Sequence, residues 1–494
     1  MSLEFSTDDP AIDQLWRRAL DGLARNAITV AGHRVLTVAP GYPGIWLEHA
    51  PHEGLLYADI DPRVAVANHA LFLATQRGDG QMCCYHLMDG HGWPDSIPQI
   101  GFGQVQSVVS LCLTGAELCQ RTGDLDLAER LYTAGIRWDA WFARHRDSDD
   151  LGLVQAFCVF DTGHDNSRRF GHHPEAVPDG CPGADATRCN AGHDLPWYAP
   201  DMSASRIELR LGIARLARLL GRPDAEQAWT ARATASSHAL RRHLFDAEDA
   251  FFYDRDRHGG LRRFRTEAAF HPLRAGVLSP DDFERMWNRH LGNPARFWPH
   301  TPLPSVALDD PAFDAGLPAN SWSGASQSLT VLRAPLWMER YGRFAELAAL
   351  LARWRDLLAS SSEFHQEADP STGRLQSHRN YSASLFVALE AINRLHGVHR
   401  HDDGTLAWNC RLPPAASRCS YRLDAPDTGR AELHQERGIS TLVLDGRVVA
   451  TAAGAGRIRT DRNGAVVAAE ATAGVALRIN GQDVPFDARG RWRT

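Results

Sequence analysis

Four loop segments concentrate the side chains able to do chemistry. The run FCVFDTGHDNSRRF, residues 157–170, sets Asp161, His164, Asp165 and Asn166 beside a glycine, without helical spacing. Alone, that density reads first as a turn in which Asp and Asn satisfy their own backbone, and second as a catalytic loop. SEFHQEADPSTGRLQ, residues 362–376, carries Glu363, Glu367 and Asp369 ahead of Pro370 and Gly373. A polar loop ending in a turn is the simpler reading for any one of these carboxylates. NSWSGASQS, residues 320–328, and GYPGIWLEHAPHEGLLYADIDP, residues 41–62, place Trp322, Trp46, Glu48, His49, His52 and Glu53 in polar loops. A tryptophan there is either a core anchor or a platform for the apolar face of a sugar. With 14 tryptophans in the chain, several are plain core.

Composition narrows the chemistry further. All 53 basic residues are arginine, for the sequence holds no lysine. That excludes a P-loop, a Schiff-base lysine and the ATP-holding lysine of protein kinases. A net charge of -7 argues against a nucleic-acid partner. Nine scattered cysteines form no CxxC pair, which fits reduced thiols. The N-terminus shows no signal-peptide pattern and no run of about 18 apolar residues occurs. The expectation is a cytoplasmic protein away from membranes. Cys181 and Cys189 are spaced too widely for a usual zinc site, so neither metal nor cofactor is expected.

The elements that must hold these loops are mostly amphipathic helices. Asp9-Pro10, Asp61-Pro62 and Ser279-Pro280 each pair an N-cap residue with a proline in the first turn. Further helices are predicted within 104–145, broken at Thr122-Gly123-Asp124, and over 205–220, 224–244, 326–341, 343–359 and 382–395. Ten to twelve helices in consecutive hairpins point to an α/α toroid, whose loops line one central cleft. A helical repeat protein is the competing architecture, but no fixed period is present. After about Val398 the chain turns irregular, then into short strands separated by Asp445-Gly446, Asn463-Gly464 and Asn480-Gly481. The expected division is a helical catalytic domain over 1–398 and a small antiparallel, β-sandwich-like domain over 399–494.

Taken in order, IWLEHAPHEGLLYADIDPRVA, TGHDNS, FWPHTPLPSVALDDPAF, SWSG and EADPSTGR resemble the (α/α)6 catalytic domain of glycoside hydrolase family 63. The nearest members by this resemblance are the mannosylglycerate and glucosylglycerate hydrolases, with trehalases more distant. The resemblance implies Asp165 as general acid and Glu367 as general base of an inverting reaction. Such a pair stands ~6.5–9.5 Å apart, leaving room for the attacking water. It also implies that Trp46, Glu48, Trp322 and Gly324 hold the sugar. His49, Asp161, His164 and His378 complete the expected substrate-binding set, with Asp161 a candidate to keep Asp165 protonated. Glu48 departs from the pattern, which usually has Asp there. His164 and the ASQS after SWSG depart too, so the sugar is left open.

The expected function is inverting hydrolysis of a small α-glucoside or α-mannoside, without a cofactor. Residues 172–198 are expected to form a lid whose arginines, with Arg168, Arg169 and Arg188, read a substrate carboxylate. Two rivals remain: a sugar isomerase or epimerase using histidine acid and base on the same toroid, and a non-catalytic carbohydrate-binding protein. The sequence carries no signal for oligomeric state.

Overall fold

The computed structural model describes residues 2–42, 44–90, 92, 97–106, 109–170, 195–316, 320–401, 403–471, 475–487 and 490–493. Most of the expected lid therefore lies outside the described residues. Helices begin where capping chemistry places them. Asp9 accepts from the Ala11 and Ile12 N–H groups and opens Pro10–Asn26; Asp61 accepts from Arg63 N–H and opens Pro62–Ala74. Gly123, at φ 72, ends Leu111–Thr122, and Asp124 caps Leu125–His145.

Two helices differ from expectation. One starts five residues early, as Pro200–Leu219, because Pro200 fits a first turn. The predicted 326–341 helix is instead a short strand, Ser326–Gln327, followed by Ser328–Arg333 and Pro335–Met338. Pro335 has no N–H to continue the ladder, so the helix breaks there.

Burial sorts the helices into two kinds. Pro200–Leu219 and Ser382–His396 are buried along nearly their whole length, whereas Pro10–Asn26 and Leu125–His145 bury one face. Ser382–His396 packs on Pro10–Asn26 and Phe344–Ala359; Pro200–Leu219 packs on Leu111–Thr122, Leu125–His145 and Pro223–Leu244. Buried helices thus carry amphipathic ones outside them. Among the described residues, no helix is long and apolar enough to cross a membrane.

The C-terminal part is two antiparallel sheets. Val398–Arg400, Leu406–Cys410 and Arg418–Ala425, in the stretch read as irregular, are strands of these sheets. The seven-stranded sheet takes its edge strand from the other end of the chain: Ser2–Thr7 pairs with Arg418–Ala425, with Ser2 opposite Asp424 and Thr7 opposite Cys419. Asp8 secures the junction by accepting from the Ser417 and Arg418 N–H groups. Side chains of both sheets join the same hydrophobic cluster as the helices Pro10–Asn26 and Ser382–His396.

Candidate active site

The loops meet at a small pocket lined by Tyr42, Trp46, Glu48, His49, Gln106, Asp165, Asn320, Trp322, Gln366 and Tyr381, with Val38 and Gly163. Asp165 follows the short helix Val159–Thr162. Its Oδ2 accepts from Asn320 Nδ2 at 2.7 Å, and its backbone oxygen accepts from Trp322 N–H at 3.3 Å. Asn320 Oδ1 in turn accepts from Trp322 Nε1 at 3.0 Å, so one amide fixes both the carboxylate and the indole. Trp46 meets Tyr42 edge-on at 4.7 Å between ring centroids. Burial, with the Asp165 and Glu48 charges, pushes the Tyr42 hydroxyl well up, so it remains a neutral donor.

Glu48 is held from behind. His49 Nε2 lies 3.0 Å from Glu48 Oε1, and His49 Nδ1 lies 3.0 Å from Glu53 Oε1. Gly163, at φ 78, makes room for it: a Cβ there would fall 1.8 Å from Glu48 Oε2. Burial opposes charge on His49, but Glu53 and Glu48 outweigh it and raise its pKa to about 9. Because this folded-state value exceeds the ordinary 6.5, the stabilisation is fully present below pH 6.5 and is lost as pH rises through about 9. A His49→Gln variant should therefore be less stable than the parent at pH 6, with the gap closing toward pH 9.5. Thermal unfolding midpoints of the two proteins across that range are the check; a constant gap would refute a cationic His49.

Five expected site residues do not line the pocket. Asp161 is wholly buried and paired with Arg146, Nη1 to Oδ2 at 2.8 Å and Nη2 to Oδ1 at 3.1 Å. It also accepts from the Phe157 and Val105 N–H groups, so it folds the loop rather than lending charge to Asp165. His164 turns into the core, its ring 4.8 Å beneath Trp322 and its Nε2 2.5 Å from Glu267 Oε1. Gly324 is a close-approach position, where a Cβ would meet Asp314 and Ala315 backbone at 2.7 Å. His378 stands edge-on to Tyr42 at 5.0 Å.

Glu367 is the fifth. It lies on the strand His365–Ala368, where successive side chains point to opposite faces, and its neighbour Gln366 takes the pocket side. Glu367 is 0% exposed and accepts from Ser321 N–H, Gln327 Nε2 and Gln376 Nε2. Burial pushes its carboxyl up despite these donors. Sequence reasoning missed Tyr42, Gln106, Asn320, Gln366 and Tyr381 as pocket residues. Three of them sit inside the segments singled out for chemistry, where their types alone drew no attention.

Among the described residues, two side-chain groups bring three potential metal ligands within 4.8 Å of one another: His164, Glu267 and His271, and Glu339, His399 and His401. In the first, the 2.5 Å between His164 and Glu267 is shorter than the ~3.3 Å between two ligands of a tetrahedral zinc. In the second, Arg394 and Arg457 already neutralise Glu339. Neither donor set suits a cation.

Residues 42–384, more than half of the chain, match the profile of the mannosylglycerate hydrolase MGH1-like glycoside hydrolase domain. The chain belongs to that family. A curated relative, mannosylglycerate hydrolase MGH2 of Selaginella moellendorffii, is 25% identical over 298 residues, 50% of this chain. The chain spans 57% of that relative's length. The glycoside hydrolase family 63 mannosylglycerate hydrolase of Thermus thermophilus, solved with glucose, superposes with a TM-score of 0.62 at 21% identity. That alignment covers 76% of this chain and 99% of the Thermus chain. Neutral trehalase Nth1 of Saccharomyces cerevisiae gives a TM-score of 0.54 at 14% identity, covering 73% of this chain and 74% of its own. The MGH1-like domain thus shares its fold with both enzymes, and its matched region contains every residue named in the pocket except Val38.

Proposed function

We propose that this MGH1-like domain is an exo-acting, inverting α-glycosidase on an (α/α)6 toroid, cleaving a small α-glucoside or α-mannoside such as a glycerate glycoside or disaccharide. The observation that carries this reading is Asp165 in a small pocket between two tryptophans and a second carboxylate, Glu48. Trp46 and Trp322 offer ring faces to the apolar side of one sugar, while Glu48 accepts from its hydroxyls. Asp165 gives its proton to the glycosidic oxygen as the bond to C1 breaks, and a nucleophile attacks C1 from the opposite face. That the Thermus relative has been solved with Tris and D-glycerate supports a small acidic aglycone.

The histidine-based isomerase is less well supported. It needs an acid and a base in contact with sugar, and among the described histidines only His49 lines the pocket, clamped between two carboxylates. Proton NMR of the protein mixed with a panel of α-glucosides and α-mannosides, glycerate glycosides included, tests the proposal. The β-anomer should appear first. Release of the α-anomer first, or cleavage of none of the panel, would sink it.

A further inference from the structure

On the glycosidase reading above, on which it rests for its ligand, we propose that Tyr381 donates its hydroxyl hydrogen to a hydroxyl of the bound sugar. The pocket wall then presents this donor beside the acceptor Glu48.

His49 decides where the tyrosine hydrogen goes. Its Nδ1 lies 3.0 Å from Glu53 Oε1 and its Nε2 lies 3.0 Å from Glu48 Oε1, all of them buried. An ionised carboxylate only accepts, so each ring nitrogen carries a proton. A neutral ring would set a bare lone pair against a carboxylate oxygen at one of the two contacts, where burial leaves the repulsion poorly screened. Nε2 also lies 3.0 Å from Tyr381 Oη. An imidazolium has no lone pair to accept with, so Nε2–H is shared between Glu48 Oε1 and Tyr381 Oη. The tyrosine keeps its own hydrogen.

Among the described residues, His49 Nε2 is the one hydrogen-bond partner of Tyr381 Oη. Tyr381 lines the pocket, so its hydrogen is left to a ligand there. Burial, with the Glu48 and Glu53 charges nearby, holds the phenol well above its ordinary pKa, and it stays a neutral donor. A buried tyrosine hydroxyl ordinarily finds a partner, because leaving it unmet is costly.

The surrounding contacts fix this hydroxyl in place. Tyr381 is the N-cap residue of Ser382–His396, and its N–H donates to Phe364 O at 3.1 Å. Its ring meets the His49 ring edge-on, with 5.5 Å between centroids and 83° between planes. One residue on, Ser382 Oγ donates to Glu53 Oε1 at 2.9 Å, the same oxygen that faces His49 Nδ1. The helix that begins at Ser382 is thereby bonded to the helix Ala50–Tyr57. Tyr381 and Glu48 are both set against His49 Nε2. A sugar hydroxyl both donates and accepts, which suits this wall; a neutral histidine would have taken the tyrosine hydrogen for itself.

Tyr381→Phe in the full chain is the test, since it deletes the hydroxyl and keeps the ring. The probes are methyl α-glucopyranoside, methyl α-mannopyranoside and the monodeoxy analogues of each, with affinity read by isothermal titration calorimetry. Turnover of the best glycoside from the panel is followed alongside. The variant should bind the parent sugar ~3–10-fold more weakly. Its loss should shrink below about twofold for the one analogue that lacks the hydroxyl Tyr381 donates to. The same loss on every analogue, or no loss on any, would overturn the proposal, because a tyrosine that only packs does not distinguish positions on the sugar. Either result in a protein that cleaves the glycoside would leave the glycosidase reading intact. A position-selective loss in a protein that cleaves nothing would uphold the donor and overturn that reading. No binding and no cleavage of any of these sugars would overturn both.

Discussion

Replacing Asp165 with asparagine should lower kcat for a glycoside with a poor leaving group by ~10²–10⁴-fold and leave KM nearly unchanged. Asparagine keeps the size of the side chain and can still present an oxygen to Asn320 Nδ2, so the pocket wall and the Trp322 contact stay in place. What is lost is the transferable proton. A glycosyl fluoride makes the assignment specific, because fluoride departs with little need for protonation. Asp165→Asn should therefore retain far more activity on the fluoride than on the glycoside. Equal loss on both substrates would assign Asp165 to binding or nucleophile activation instead.

The largest expected effect on stability is at Asp161. Both Asp161 and Arg146 are 0% exposed, and the guanidinium lies over the Phe157 ring at 4.6 Å and the Trp141 ring at 5.6 Å. Asp161→Ala leaves that cation buried without its counter-ion and leaves two backbone donors unmet, which should cost ~3–5 kcal/mol. The double replacement Asp161→Leu with Arg146→Met should recover much of the loss, since no buried charge is then unpaired. Thermal unfolding midpoints of the single and double variants decide this. A double variant as unstable as Asp161→Ala would show that geometry rather than charge is what the pair supplies. Activity should fall with the single variant, because the loop that Asp161 folds presents Asp165.

The buried pair also explains why residues 157–170 were hard to read. Asp161 and Asp165 are the same residue type, four positions apart, yet one faces the core and one faces the pocket. Nothing local separates them. Arg146 does, and it is brought to Asp161 by the packing at the end of the helix Leu125–His145.

What the amino-acid sequence determined by itself is everything that a few neighbouring residues decide. Asp9-Pro10 and Asp61-Pro62 start helices because the capping oxygen and the missing N–H act within one turn. The glycosidase family was legible in five short segments kept in order. The tertiary structure decided what depends on distant chain. Ser2–Thr7 becomes the edge of a sheet built mostly from residues after 417, a pairing that no local propensity encodes. The choice between Gln366 and Glu367 was of the same kind. Side chains on a strand alternate, so one step of register exchanges pocket for core. That step was set by the pairing of Glu367 with Gln327 on one side and with Gln376, beyond the Ser377 bulge, on the other.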